Sequence, residues 1–375
     1  MGSICCGLAV AWGPQSHCER AAEAKGFYAN GNETKGGTWC FKGRDKGTLY
    51  CSLYEMYEEQ ESGVAQGAAE IDAAQHGDEI GDFRCFSCVC RNVEQLLEAY
   101  PPDKSARKAV MADVARLYAE GGVDMAHADF QRSAYGIVAK HFPRILPFWE
   151  HKRAMNDRAL EAYSLLKSHR PPSVSAFKYG LRTALAGAGI DFERSSVAEI
   201  LHGVDSLATA KLAIDHSELL QKKLGEAKVV LYLANRAGEI VFDRFFIKSL
   251  SGVEVGYVVN CPYAGYAASG QDADYVDMRS VAKVVANGCE APSSIPVRLS
   301  ARAWEAFLKA DVIVAKGAMN LASFYTLHDP RLFVLIRVPC QAIGSVLGCA
   351  AGEYVVVNPE ARRQELSRTI APRNA

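Results

Sequence analysis

The hydrophobic rhythm of the chain changes twice. Over residues 1–83 apolar positions keep neither the helical period of 3.6 nor the strand period of 2. The exception is 38–57, where aromatic and polar residues alternate around Gly43 and Gly47 and predict a hairpin. From Arg84 the spacing becomes helical. Val93, Leu96, Leu97 and Tyr100 share one face of a helix over 84–100, which Pro101-Pro102 stops. Further helices are predicted over 104–120, 125–141, 153–169, 174–186 (with Ser173 as N-cap) and 208–224. After Ala227 short apolar runs alternate with helical stretches: 229–233, 253–259, 281–285, 312–315, 332–338 and 354–357. Strands alternating with helices imply an α/β fold with a mostly parallel sheet. The expected organisation is a Cys-rich extension (1–83), a helical N-terminal subdomain (84–226), an α/β ligand-binding domain (227–358) and a charged tail expected to fray (359–375).

The most informative stretch is 229–250, VVLYLANRAGEIVFDRFFIKSL. Val229 to Leu233 is apolar at every position, as in a strand covered on both faces. Ala234 to Glu239 is a polar turn in which Gly238 permits a sharp bend. Helical spacing resumes at Ile240. In open α/β sheets ligands bind at the carboxyl ends of the strands, where such turns lie.

Composition narrows the function classes. With 49% hydrophobic and 23% charged residues the 375-residue chain is globular, and a net charge of −1 gives no reason to expect nucleic acid as a partner. No apolar run reaches the ~18 residues of a transmembrane segment, so a cytoplasmic protein is expected. Eight of the twelve cysteines fall within the first ninety residues. Cys85, Cys88 and Cys90 are candidate thiolate ligands for Zn²⁺ or an iron–sulfur cluster. At helical pitch, however, Cys85 and Cys88 share a face and Cys90 points away.

Several segments together resemble the damage-control phosphatase family, also described as acidic-residue methyltransferase-like. They are VLYLANRAGEIVFD at 230–243, Cys85-Phe-Ser-Cys88 before a helix, LAGAGIDF at 185–192, NGCEAP at 287–292, DVIVAKGAMN at 311–320, and Cys340 after a strand. The resemblance spans roughly 84–358. It implies a helical bundle on an α/β domain and a divalent-metal phosphatase acting on small phosphorylated metabolites. The metal would be Mn, Co, Ni or Mg, held by an Asp and an Asn of the first turn and an Asp after the next strand.

This chain departs from that pattern at the ligands. Asn235 stands at the family's Asp, Arg236 at its Asn, and Ala267 at its second Asp. A guanidinium cannot ligate a metal but binds anions bidentately. A metal-free site for a small anionic metabolite, phosphorylated or carboxylated, is therefore expected. Arg236 and Lys316 would bind the anion, Asn235 and Asn320 would orient it, and Glu239 and Asp243 would line the site. Two alternatives stand beside it. One is a surface arginine paired with Glu239 or Asp243. The other is a rebuilt metal-dependent phosphatase that recruits Asp272 or Asp274. Residues 1–83 could recruit a protein partner or bind metal through their cysteines.

Overall fold

A computed structural model describes residues 3–5, 40–42, 84–99, 102–122, 125–142, 148–262, 264–289 and 291–370. The chain divides into two compact units, Met1–Gln66 and Gly67–Ala375. In the first, β1 (Ser3–Cys5) pairs antiparallel with β2 (Cys40–Lys42). The rest of the predicted 38–57 hairpin, the acidic stretch at 58–82 and Cys6, Cys18 and Cys51 lie outside the described residues.

The second unit begins with helices α1 (Arg84–Ala99), α2 (Lys104–Ala119), α3 (His127–His141), α4 (Trp149–His169), α5 (Ala176–Gly187) and α6 (Val197–Thr209). The short β3 (Ile214–Asp215), α7 (Ser217–Glu226), β4 (Val229–Leu233), α8 (Glu239–Ile247) and β5 (Glu254–Val259) follow. Next come α9 (Gly270–Tyr275), β6 (Lys283–Ala286), α10 (Ala301–Lys309), β7 (Val312–Lys316) and α11 (Ala318–Phe324). The chain ends with β8 (Leu332–Arg337), α12 (Gln341–Leu347), β9 (Tyr354–Val357) and α13 (Pro359–Ile370).

Seven strands form one sheet in the order β3-β9-β8-β7-β4-β5-β6. All neighbours are parallel except β8 and β9. The uniformly apolar run of β4 has the predicted cause. Val230 and Tyr232 pack into a core shared with α5, α6 and α8, and Leu231 and Leu233 into one shared with α10, α11 and α12. Because β4, β5 and β7 are parallel, their C-terminal ends and the turns that follow them gather on one edge of the sheet.

Three predictions about elements need correction. Ser175, not Ser173, caps α5, its hydroxyl accepting from Lys178 N at 3.2 Å. The helix predicted over 208–224 is interrupted, because the chain leaves α6 at Thr209 to pair β3 with β9. Arg182 holds that break, donating to Ala210 O at 2.8 Å and to Asp215 at 2.9 Å. The tail forms α13 up to Ile370. Arg362 anchors it by donating to Leu347 O at 2.8 Å, and Arg363 lies 4.0 Å over the Tyr325 ring.

Candidate functional site

The turn after β4 is built against the loop after β5. Arg236 and Ala267 form an antiparallel bridge. Ala237 N donates to Tyr266 O, and Ala268 N to Asn235 O, each at 2.9 Å. Gly238 adopts φ +76°, and a Cβ there would sit 2.6 Å from the Phe192 ring. Only glycine meets both conditions. The bridge brings together Asn235, Arg236 and Ala267, the three positions at which the sequence is expected to depart from the family pattern.

Helix α4 braces this pair of loops from below. Lys152 and Asn156 lie one turn apart and are buried. Asn156 accepts from Gly238 N at 2.7 Å and donates to Asp272 at 2.9 Å. Lys152 pairs with Asp272 at 2.6 Å and donates to Ala267 O at 3.1 Å. Burial lowers the Lys152 pKa, opposed by the Asp272 carboxylate. Asp272 also accepts from Ser269 N and Oγ as a capping box, so its oxygens are committed to the scaffold. Asp274 is exposed and paired with Arg279. Lys152 and Asn156 are not among the residues predicted to matter. The available signal was a Lys and an Asn on the same helical stripe as Met155, Ala159 and Ala162, all of which are buried.

Under the turn lies a closed cluster of charge. Lys316 Nζ is fully buried and donates to Ala184 O at 2.6 Å and to Asp243 at 2.9 Å, with Glu239 Oε2 at 3.2 Å. Asp243 also accepts from Tyr232 and Tyr257, both at 2.8 Å. Glu239 Oε1 accepts from Asn235 Nδ2 at 2.7 Å. Burial alone would lower the Lys316 pKa, but the two carboxylates outweigh it and raise the value. Burial raises Glu239 against the pull of Lys316. Both tyrosines are pushed well up by burial and by Asp243. Asn320 is equally committed, bonding Ser294 N, Ala234 O and Lys316 O. Of the six residues predicted to line the site, Asp243, Lys316 and Asn320 thus sit behind it as scaffold.

Arg236 is different. Its guanidinium makes no hydrogen bond or ion pair with any described residue and lies 5.3 Å over the Tyr266 ring. The pairing with Glu239 or Asp243 considered above is not formed, because both carboxylates face Lys316. Arg236 stands between two hollows. One, about 260 Å³, is walled by α1, α3 and α11 and includes Cys85, Cys88, Gln131, Asn235 and Cys340. The other, about 530 Å³, is rich in charge, with Glu98, Asp191, Glu193, Arg194, Glu239 and Arg337. As helical pitch requires, Cys85 and Cys88 face the first hollow, whereas Cys90 packs against the core. Among the described residues no group of three His, Cys, Asp or Glu side chains is arranged to hold a metal. No described helix is long and apolar enough to cross a membrane.

The family profile of the damage-control phosphatase ARMT1-like domain matches residues 82–355. The damage-control phosphatase PH1575 of Pyrococcus horikoshii is 26% identical over 293 residues, spanning 73% of this chain and 96% of its own. The uncharacterized protein MJ0202 of Methanocaldococcus jannaschii is 23% identical over 292 residues, spanning 73% and 93%. The crystal structure of a DUF89 family protein, PH1575 from P. horikoshii, matches with a TM-score of 0.69 at 24% identity. It covers 74% of this chain and 99% of that one, a likeness that bears on the fold. The motifs, the sheet and the profile agree: the chain belongs to the damage-control phosphatase ARMT1-like domain family.

Proposed function

We propose that this chain binds a small anionic metabolite, phosphorylated or carboxylated, at the carboxyl edge of its sheet, with Arg236 as the anion's partner. We further propose that it does so without the metal route that the family resemblance implies. The observation that carries the reading is the guanidinium of Arg236, which has no hydrogen bond or ion pair among the described residues and is steadied on Tyr266 at the junction of two hollows. A planar fork with no acceptor among the described residues is matched to a carboxylate or phosphate oxygen pair.

The donor set around the turn supports a reading without a divalent cation. Hard cations take carboxylate and carbonyl oxygens. Here a methyl group, Ala267, and a guanidinium face each other across the bridge. The nearby carboxylates already face lysines: Glu239 and Asp243 share the single charge of Lys316, and Asp272 pairs with Lys152.

Calorimetry with inorganic phosphate and phenyl phosphate tests the reading. Arg236→Gln is expected to weaken both at least tenfold. Hydrolysis of p-nitrophenyl phosphate that vanishes on chelation, returns with Mn²⁺ or Co²⁺ and is lost in Asn235→Ala would refute it.

A further inference from the structure

We infer that the hollow walled by α1, α3 and α11 receives the uncharged body of the anion held by Arg236, and that this body is compact and apolar. An aryl or short acyl group carrying one hydrogen-bond acceptor fits; a polyol does not. The inference rests on the anion reading above and adds the chemical class of the ligand.

Three observations carry it. The first is an unspent donor. Gln131 is 1% exposed and lines this hollow. Its Oε1 accepts from Asn92 Nδ2 at 2.9 Å, which orients the amide, and its Nε2 has no hydrogen-bond partner among the described residues. Tyr135, whose pKa burial raises to about 12, feels Arg236 and Gln131 but makes no well-aligned bond to that nitrogen. Leaving a buried N–H unmatched costs about 1–3 kcal/mol, which an acceptor on a ligand would recover.

The second observation is the wall. Ala264, Ala267, Ala318, Ala322, Pro292 and Ile343 give it small apolar surfaces. A volume of about 260 Å³ suits one ring or a short chain. The third is charge. Among the described residues that line this hollow, none is Asp or Glu, and burial holds His127 toward its neutral form. Arg236 is thus the one full charge it presents. A polyol would find no carboxylate there to accept from its hydroxyls. The neighbouring hollow, with Glu98, Asp191, Glu193 and Glu239, offers several. The apolar hollow therefore selects the body, and the arginine at its mouth selects the anion.

The test titrates the full chain with inorganic phosphate, phenyl phosphate and ribose 5-phosphate. Affinity is read by calorimetry, and iodoacetamide labelling of Cys88 and Cys340 by peptide mass spectrometry. Both thiols line this hollow and are half-buried. Phenyl phosphate is expected to bind at least tenfold tighter than ribose 5-phosphate and to slow labelling of both thiols severalfold. Filling the hollow with Ala322→Leu, or at its rim with Met319→Phe, is expected to bring that affinity ratio within threefold. Equal or tighter binding of ribose 5-phosphate without thiol protection overturns the inference while leaving the anion reading intact. Inorganic phosphate affinity that Arg236→Gln leaves unchanged overturns both.

Discussion

Two cations flank the turn after β4, and they are used in opposite ways. Beneath the turn Lys316 is buried, with Ala184 O, Asp243 and Glu239 around its ammonium. Above it Arg236 is exposed, with its guanidinium unpaired among the described residues and only a tyrosine ring beneath it. Both belong to the family-like motifs, and composition cannot tell them apart. What separates them is the location of their counter-charge. A cation surrounded by its own carboxylates contributes to the fold and has no field left to offer a ligand. A cation with no ion pair among the described residues keeps most of its field for whatever enters.

The largest effect expected from that contrast is on stability. Lys316→Met leaves Asp243 and Glu239 buried without a counter-charge, and is expected to cost about 3–5 kcal/mol in urea unfolding. Combining it with Asp243→Leu should recover part of the loss. If Lys316→Met unfolds at the wild-type midpoint, the cluster is not scaffold. Arg236→Gln is the converse: unfolding within about 0.5 kcal/mol of wild type, but anion affinity lowered tenfold or more.

The smallest effect is on pH dependence. Burial raises the Glu239 pKa above its ordinary value of 4.5. The unfolded state therefore releases that proton first. The carboxyl's contribution is fully present below 4.5 and is lost as pH rises through the folded value. Glu239→Gln should gain stability relative to wild type across that window, by at most about 1.4 kcal/mol per pH unit. Denaturation curves at a series of pH values check this. A difference that stays flat with pH would place Glu239 outside the buried cluster's electrostatics.

Much of the fold was legible because its signals are local. The run at 229–233 has no polar position, so both faces of its strand had to be covered, and they are. The turn was legible because Gly238 and its neighbours fix its shape. What could not be seen depended on distant partners. The break after Thr209 is held by Arg182 and by pairing with β9, which override local helical spacing. Helix α6 did carry a local signal, the Ser196–Glu199 capping box, which marks its start. Helix α13 is anchored by arginines rather than by an apolar stripe, so hydrophobic periodicity does not reveal it. Around the turn after β4, the placement of Asn235, Arg236 and Glu239 was legible from the turn itself. The commitment of Lys316 and Asn320 to internal partners depends on residues up to 132 positions away. Gln131 and Lys152 needed the packing of helices far from the motifs.

The brace from α4 also sets an order of assembly. The turn after β4 is a local event. However, Asn156 reaches Gly238 across 82 residues and Lys152 reaches Ala267 across 115. Contacts that close such long stretches of chain form late, because the entropy of closing the loop is lost before the contact can repay it. The newly made chain must have released Ala267 and Asp272 before α4 can lock the two loops.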